Sequence, residues 1–106
     1  MPNEKFPQIR KGLLEFIALK IISAGEVYVA DILSALDGTE FATQEGTLYP
    51  LLSKLRRDGL VDYKWQESDS GPPRKYYRLT AKGRDQLAEV KQYWKHINAQ
   101  LESIGT

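Results

Sequence analysis

Apolar positions in the first sixty residues fall into three helical phases. Leu13, Leu14, Ile17, Ala18, Ile21 and Ile22 recur at the i, i+3, i+4 spacing of one helix face and predict a helix over 9–23, closed by Ala24-Gly25. Ile32, Leu33 and Leu36 predict a second, shorter helix over 29–36, ended by Asp37-Gly38. A third is expected to open near Thr43, whose hydroxyl suits an N-cap. It places Leu48, Leu51, Leu52 and Leu55 on one face and stops at Asp58-Gly59. Pro50 falls inside this segment, where it forfeits the bond to the Gly46 carbonyl, so a kink or a helix starting near residue 46 is expected.

Beyond Gly59 the period changes. Leu60, Val61, Tyr63 and Trp65 approach the alternation of a half-buried strand, Ser68 to Pro73 concentrates turn formers, and Lys75 to Thr80 returns as a second strand. Tyr76 and Tyr77 then point to opposite faces, one toward the core and one exposed. The fold class expected is α+β, mainly α: a winged helix-turn-helix of three helices plus a β-hairpin wing with a basic residue at its tip. From Ala81 onward Leu87, Val90, Trp94, Ile97, Leu101 and Ile104 are separated by 3, 4, 3, 4 and 3 residues, which is a heptad seam. Thr80 is placed to cap this helix, which spans roughly 36 Å if it runs to residue 104. The small domain has few helices left to cover such a stripe, so the seam is expected to bury against a second copy of the chain. The organisation predicted is a winged-helix DNA-binding domain over 1–80 and a C-terminal dimerisation helix over 81–106, forming one compact unit.

Composition narrows the function. With 106 residues and 42% hydrophobic content the chain can close one core. There is no apolar run of about 18 residues and no signal-peptide pattern, so a soluble cytoplasmic protein is expected. The absence of cysteine excludes disulfides, thiolate zinc sites and thiol redox switches. The one histidine, His96, lies on the last helix, and no glycine-rich phosphate loop is present. No catalytic residue, metal site or cofactor is therefore assigned, and an enzyme is not expected. The net charge of +1 conceals an asymmetry: residues 53–84 hold nine cations against four acids, and the remainder six against ten. A basic centre on an acidic remainder favours a polyanion.

The third helix, with its leucines inward, turns Gln44, Thr47, Tyr49, Ser53, Lys54 and Arg57 to exposed or flanking surfaces. Amide, hydroxyl and phenol groups suit base edges and phosphate oxygens, and the cations suit phosphate charge. Arg74 and Lys75 follow two prolines that restrict the backbone, presenting two more cations on the wing. Double-stranded DNA is the partner these positions predict. A winged fold used only for protein contacts is the alternative, distinguished by weak salt dependence of binding.

These residues resemble the PadR-type regulators. The resemblance is carried by Glu45-Gly46-Thr47-Leu48-Tyr49-Pro50-Leu51-Leu52, by Leu55 and Gly59-Leu60-Val61, by Trp65, and by Arg74-Lys75-Tyr76-Tyr77-Arg78-Leu79-Thr80 with Gly83. It spans about residues 10–84, and the single C-terminal helix is similar to that of the short subfamily. The resemblance implies a homodimer in which that helix meets its mate and the partner's N-terminal helix, a basic wing pair associated with DNA, and ligand-responsive repression. Trp94 at the seam is expected to approach its own symmetry mate near a two-fold axis, where the two indoles either fill the dimer core or form a slot for a planar aromatic or hydrophobic effector. Leu13, Ile17, Tyr93 and Ile97 are its expected walls.

Overall fold

The computed structural model describes residues 5–105. Residues 1–4, at the start of the expected 1–80 unit, and residue 106, at the end of the 81–106 helix, lie outside the described residues. The elements are α1 (Pro7–Ile22), α2 (Val29–Leu36), α3 (Glu45–Arg57), β1 (Val61–Ser68), β2 (Gly71–Leu79) and α4 (Ala81–Gly105). Three helices, an antiparallel hairpin and a long last helix make this a winged helix-turn-helix. Helix α1 begins two residues before the expected start, because Pro7 sits in the first turn, where its missing N–H has no partner to lose.

The core gathers Ala18, Leu19 and Ile22 from α1, Val29, Ile32 and Leu36 from α2, and Leu48, Leu52 and Leu55 from α3. Leu60, Val61, Tyr77 and Leu79 close it from the base of the hairpin. Leu14, Ile17, Ile21, Leu33 and Leu51 pack against it while partly buried. Helix α3 is capped by Gln44 and not by Thr43. Gln44 is extended at φ −116° and ψ 165°, and its carbonyl accepts the N–H groups of Thr47 and Leu48 at 3.0 Å each. Thr43 lies one residue too early for its hydroxyl to reach the first turn. The helix continues through Pro50, and Gly46 and Pro50 are both exposed, so water can take the carbonyl that the proline ring leaves without a donor.

The hairpin corrects the expected turn. Both strands run on to Ser68 and Gly71, leaving Asp69 and Ser70 as a two-residue tip; the basic pair lies four and five residues back from it. Pairing runs in register from Val61↔Leu79 to Gln66↔Arg74 and shifts before Ser68↔Gly71, so Pro72 and Pro73 stand opposite the single residue Glu67. A bulge is a place where strand prolines are tolerated, since the ladder is interrupted there. Tyr77 is buried as expected of one of the two tyrosines. Tyr76 is half-buried, its ring 5.3 Å from that of Tyr28, and not free in solvent. A third strand position, absent from the sequence pattern, is supplied by Val27, which exchanges backbone bonds of 3.0 and 2.6 Å with Tyr77.

Thr80 joins the wing to α4. Its hydroxyl accepts the Gly83 N–H at 2.9 Å, capping the helix, and donates to the Gly59 carbonyl at 2.6 Å. Leu87 packs on the core, Val90 and Ile97 are half-buried, and from residue 98 on α4 is exposed. The radius of gyration is 15.6 Å, against about 13 Å for a compact domain of this length.

Candidate nucleic-acid interface

The phase of α3 decides which side chains it offers. Leu48, Leu52 and Leu55 point inward, so at 100° per residue Gly46, Pro50, Ser53 and Arg57 form the outermost strip. Tyr49 and Arg56 flank it on the side of the wing, and Thr47 and Lys54 on the other. Gln44 and Thr47 are exposed at the N-terminal turn. Lys54 is turned away from this strip by two carboxylates: its ammonium lies 3.0 Å from Glu15 on α1 and 3.4 Å from Asp58. The bond to Glu15 raises the ammonium's pKa, and the side chain remains 46% exposed.

The hairpin presents two different faces. On one, Tyr63, Trp65, Lys75 and Tyr77 alternate toward α3. The Arg56 guanidinium lies 4.7 Å from the Tyr63 ring, and the Lys75 ammonium lies 4.5 Å from Tyr63 and 5.4 Å from Trp65. These cation–π contacts hold the long side chains in place; Arg56 also lies 3.7 Å from the Asp62 carboxylate in an exposed ion pair. On the other face Arg74 lies 4.8 Å over the Tyr28 ring, and Glu26 binds the Lys64 ammonium and the Gln66 amide at 3.0 Å each. The Lys64 ammonium holds the Glu26 carboxyl below the usual carboxylate range.

Two depressions separate α3 from the wing. One, of about 440 Å³, is bordered by Ser53, Arg56, Arg57, Asp62, Tyr63 and Lys75, with the Thr80 end of the hairpin at its floor. The other, of about 530 Å³, is bordered by Tyr28, Glu45, Tyr49, Trp65, Arg74 and Lys75. Of the positions expected from the sequence, Ser53, Arg57 and Lys75 thus meet in the first, and Tyr49, Arg74 and Lys75 in the second. Gln44, Thr47 and Lys54 border neither. Sequence reasoning missed Arg56 and Trp65. The cation next to Arg57 and the indole in an alternating strand were the available signals.

The chain matches the PadR-like transcriptional regulator family over residues 18–89. It belongs to the PadR family. A PadR-like transcription factor from Bacteroides fragilis is 42% identical, with a TM-score of 0.84 over 93% of this chain and 96% of that one. A PadR-like transcriptional regulator from Bacillus cereus is 38% identical, with a TM-score of 0.79 over 92% and 95%. An uncharacterized protein from Lysinibacillus sphaericus is 28% identical over 84% of each chain. This PadR protein is therefore a transcriptional regulator, of a family whose members are not enzymes. Among the described residues no helix is long and apolar enough to cross a membrane.

The seam of α4 is unevenly covered within the protomer. Leu87 serves the core, Val90 and Ile97 are half-buried, and Trp94, Leu101 and Ile104 are 46%, 61% and 79% exposed. Of the expected effector walls, Leu13 and Ile17 are half-buried on α1, Ile97 is half-buried, and Tyr93 and Trp94 stand exposed. Leu13 borders a cleft of about 90 Å³ with Phe6, Ile9, Arg10 and Phe41.

Proposed function

We propose that this PadR regulator is a cytoplasmic homodimer that binds a pseudo-palindromic DNA operator sequence-specifically and represses transcription. The observation that carries this is the convergence of Arg56, Arg57 and Lys75 on one groove between α3 and the wing. Three cations around an open groove carrying one carboxylate, Asp62, suit a phosphate backbone. Helix α3 enters the major groove with Gly46, Pro50, Ser53 and Arg57 outermost, Gln44, Thr47 and Tyr49 reach base edges or phosphates from its first turns, and Arg74 and Lys75 hold the adjoining backbone. Two such helices reach successive major grooves about 34 to 36 Å apart, and α4 sets that separation. A planar aromatic or hydrophobic effector seated between the two Trp94 side chains, with Leu13, Ile17, Tyr93 and Ile97 as walls, favours one separation over the other and so releases the operator.

The test is a mobility-shift titration with DNA from upstream of the protein's own gene, at several salt concentrations and against a scrambled duplex. Tight binding that prefers the native duplex, falls steeply with salt and shows a dimer's stoichiometry is the expected result. No binding to any duplex at low salt refutes the DNA reading and leaves a winged fold that contacts proteins.

A further inference from the structure

Trp65 is the largest exposed side chain of the wing, and its function is not explained by the core. Its indole is 61% exposed, yet its orientation is fixed on two sides. The Tyr63 ring meets it edge-on at 6.2 Å and 89°, and the ammonium of Lys75, its register partner, lies 5.4 Å from the ring. It borders two surfaces at once: the cleft that holds Tyr49 of α3 with Arg74 and Lys75, and a shallow face with Pro72 and Pro73. The result is an apolar plate beside Lys75 on the side of the wing that faces α3, with Arg74, whose guanidinium lies over Tyr28 on the other face, at the rim of the same cleft. Glu45 borders the same cleft and Glu67 the shallow face.

A nucleic-acid strand has the matching alternation, charged phosphates separated by apolar sugar faces. With α3 in the major groove, one strand must pass between α3 and the wing, over this cleft. We propose that Trp65 is a DNA-contacting residue that packs its indole on the deoxyribose face of that strand, between phosphates held by Arg74 and Lys75. This rests on the DNA-binding role proposed above and adds to it a contact that releases no counterions. Trp65 therefore supplies affinity that salt does not screen, whereas the cations beside it supply affinity that salt does.

The separation of those two contributions is the test. Wild type, Trp65→Ala, Trp65→Phe and Lys75→Ala are titrated over a salt series against the upstream duplex that wild type binds. Trp65→Ala is expected to weaken binding about ten-fold at every salt concentration with the slope unchanged, the size expected for burying part of an indole's apolar surface against a sugar. Lys75→Ala is expected to reduce the slope of log affinity against log salt by about one. Trp65→Phe keeps most of the affinity because an aromatic plate remains. In a second measurement, saturating duplex is expected to shift the tryptophan emission of wild type by excluding water from the Trp65 indole, and that change is lost in Trp65→Phe although it still binds. Affinity of Trp65→Ala within two-fold of wild type, or wild-type emission unchanged at saturation, overturns the proposal. Failure of wild type itself to bind any duplex overturns the underlying DNA role instead.

Discussion

A Cβ added to Gly83 would lie 1.9 Å from the Leu60 carbonyl oxygen, and the obstruction is backbone, so no side-chain rotation relieves it. Helix α4 begins at Ala81 and rests on the residue that ends the α3 turn, and only glycine allows that approach. Two effects compete in Gly83→Ala. Helix propensity favours alanine by about 1 kcal/mol, and forcing two packed segments apart costs typically about 1–3 kcal/mol and occasionally more. With backbone as the obstacle the second wins, and a net loss of up to about 2 kcal/mol is expected, seen as a lower urea midpoint at unchanged m-value. A variant as stable as wild type would show that α4 can shift freely at this point. None of this was legible in the sequence, where Gly83 stood out only through the family resemblance, because the clash is made by a residue 23 positions away. Lys54 gives the same lesson. Its phase on α3 exposes it as the spacing predicts, but Glu15, 39 residues upstream, claims its charge. Helical phase tells which side of an element a residue occupies and not what the neighbouring element brings to that side.

At the scale of elements, the three helices and the two strands were legible because each carries an apolar period, and Pro50 did not hide α3. The placement of the wing was not. It depends on residues 26–28, three positions without a period of their own. Val27 bridges to Tyr77, Glu26 holds Lys64 and Gln66, and Tyr28 lies under Arg74 and beside Tyr76. The turn was misplaced for a related reason: the run from Ser68 to Pro73 is rich in turn formers, but a bulge accommodates its two prolines within the strand. The Glu26 contact makes the wing sensitive to acid. Its carboxyl titrates below the ordinary value of 4.5, chiefly because Lys64 bonds to its charged form. A depressed carboxyl contributes its stabilisation above that ordinary value and loses it as pH falls through the folded one. Amide exchange in β1 and β2, corrected for intrinsic rates, is therefore expected to rise on acidification below about 4.5. Glu26→Gln is expected to show the faster exchange already at neutral pH, with little change in global unfolding, since the pair is exposed. Equal wing protection in the variant and wild type at neutral pH would mean that the Val27 bridge alone holds the hairpin.

At the scale of the molecule, three seam residues of α4 are exposed in the protomer, 46% at Trp94, 61% at Leu101 and 79% at Ile104. All three keep the heptad spacing that places them on one stripe. A lone protomer therefore exposes large apolar side chains on a helix of 25 residues, in a molecule 57 Å along its longest axis. Such a stripe is ordinarily covered by another chain. The choice of residue decides whether a test of this is clean. Leu87 also lies in the seam, but it packs on the core, so its substitution confounds folding with assembly. Leu101 lies beyond the domain and supports nothing in its own protomer that a charge would disturb. Leu101→Asp places a carboxylate from each protomer in the seam of an α4 pair, and burying it unpaired opposes association strongly. Wild type is expected to sediment as a particle of twice the 12.1 kDa chain mass, and Leu101→Asp as the single chain with its helix content and unfolding cooperativity retained. The monomeric variant is then expected to bind a half-site duplex about as wild type does, and the full operator far more weakly, because the second recognition helix no longer arrives tethered to the first. A variant that remains dimeric would place the interface elsewhere, with the exposed Phe6 and Ile9 of the N-terminal region as the next surface to alter.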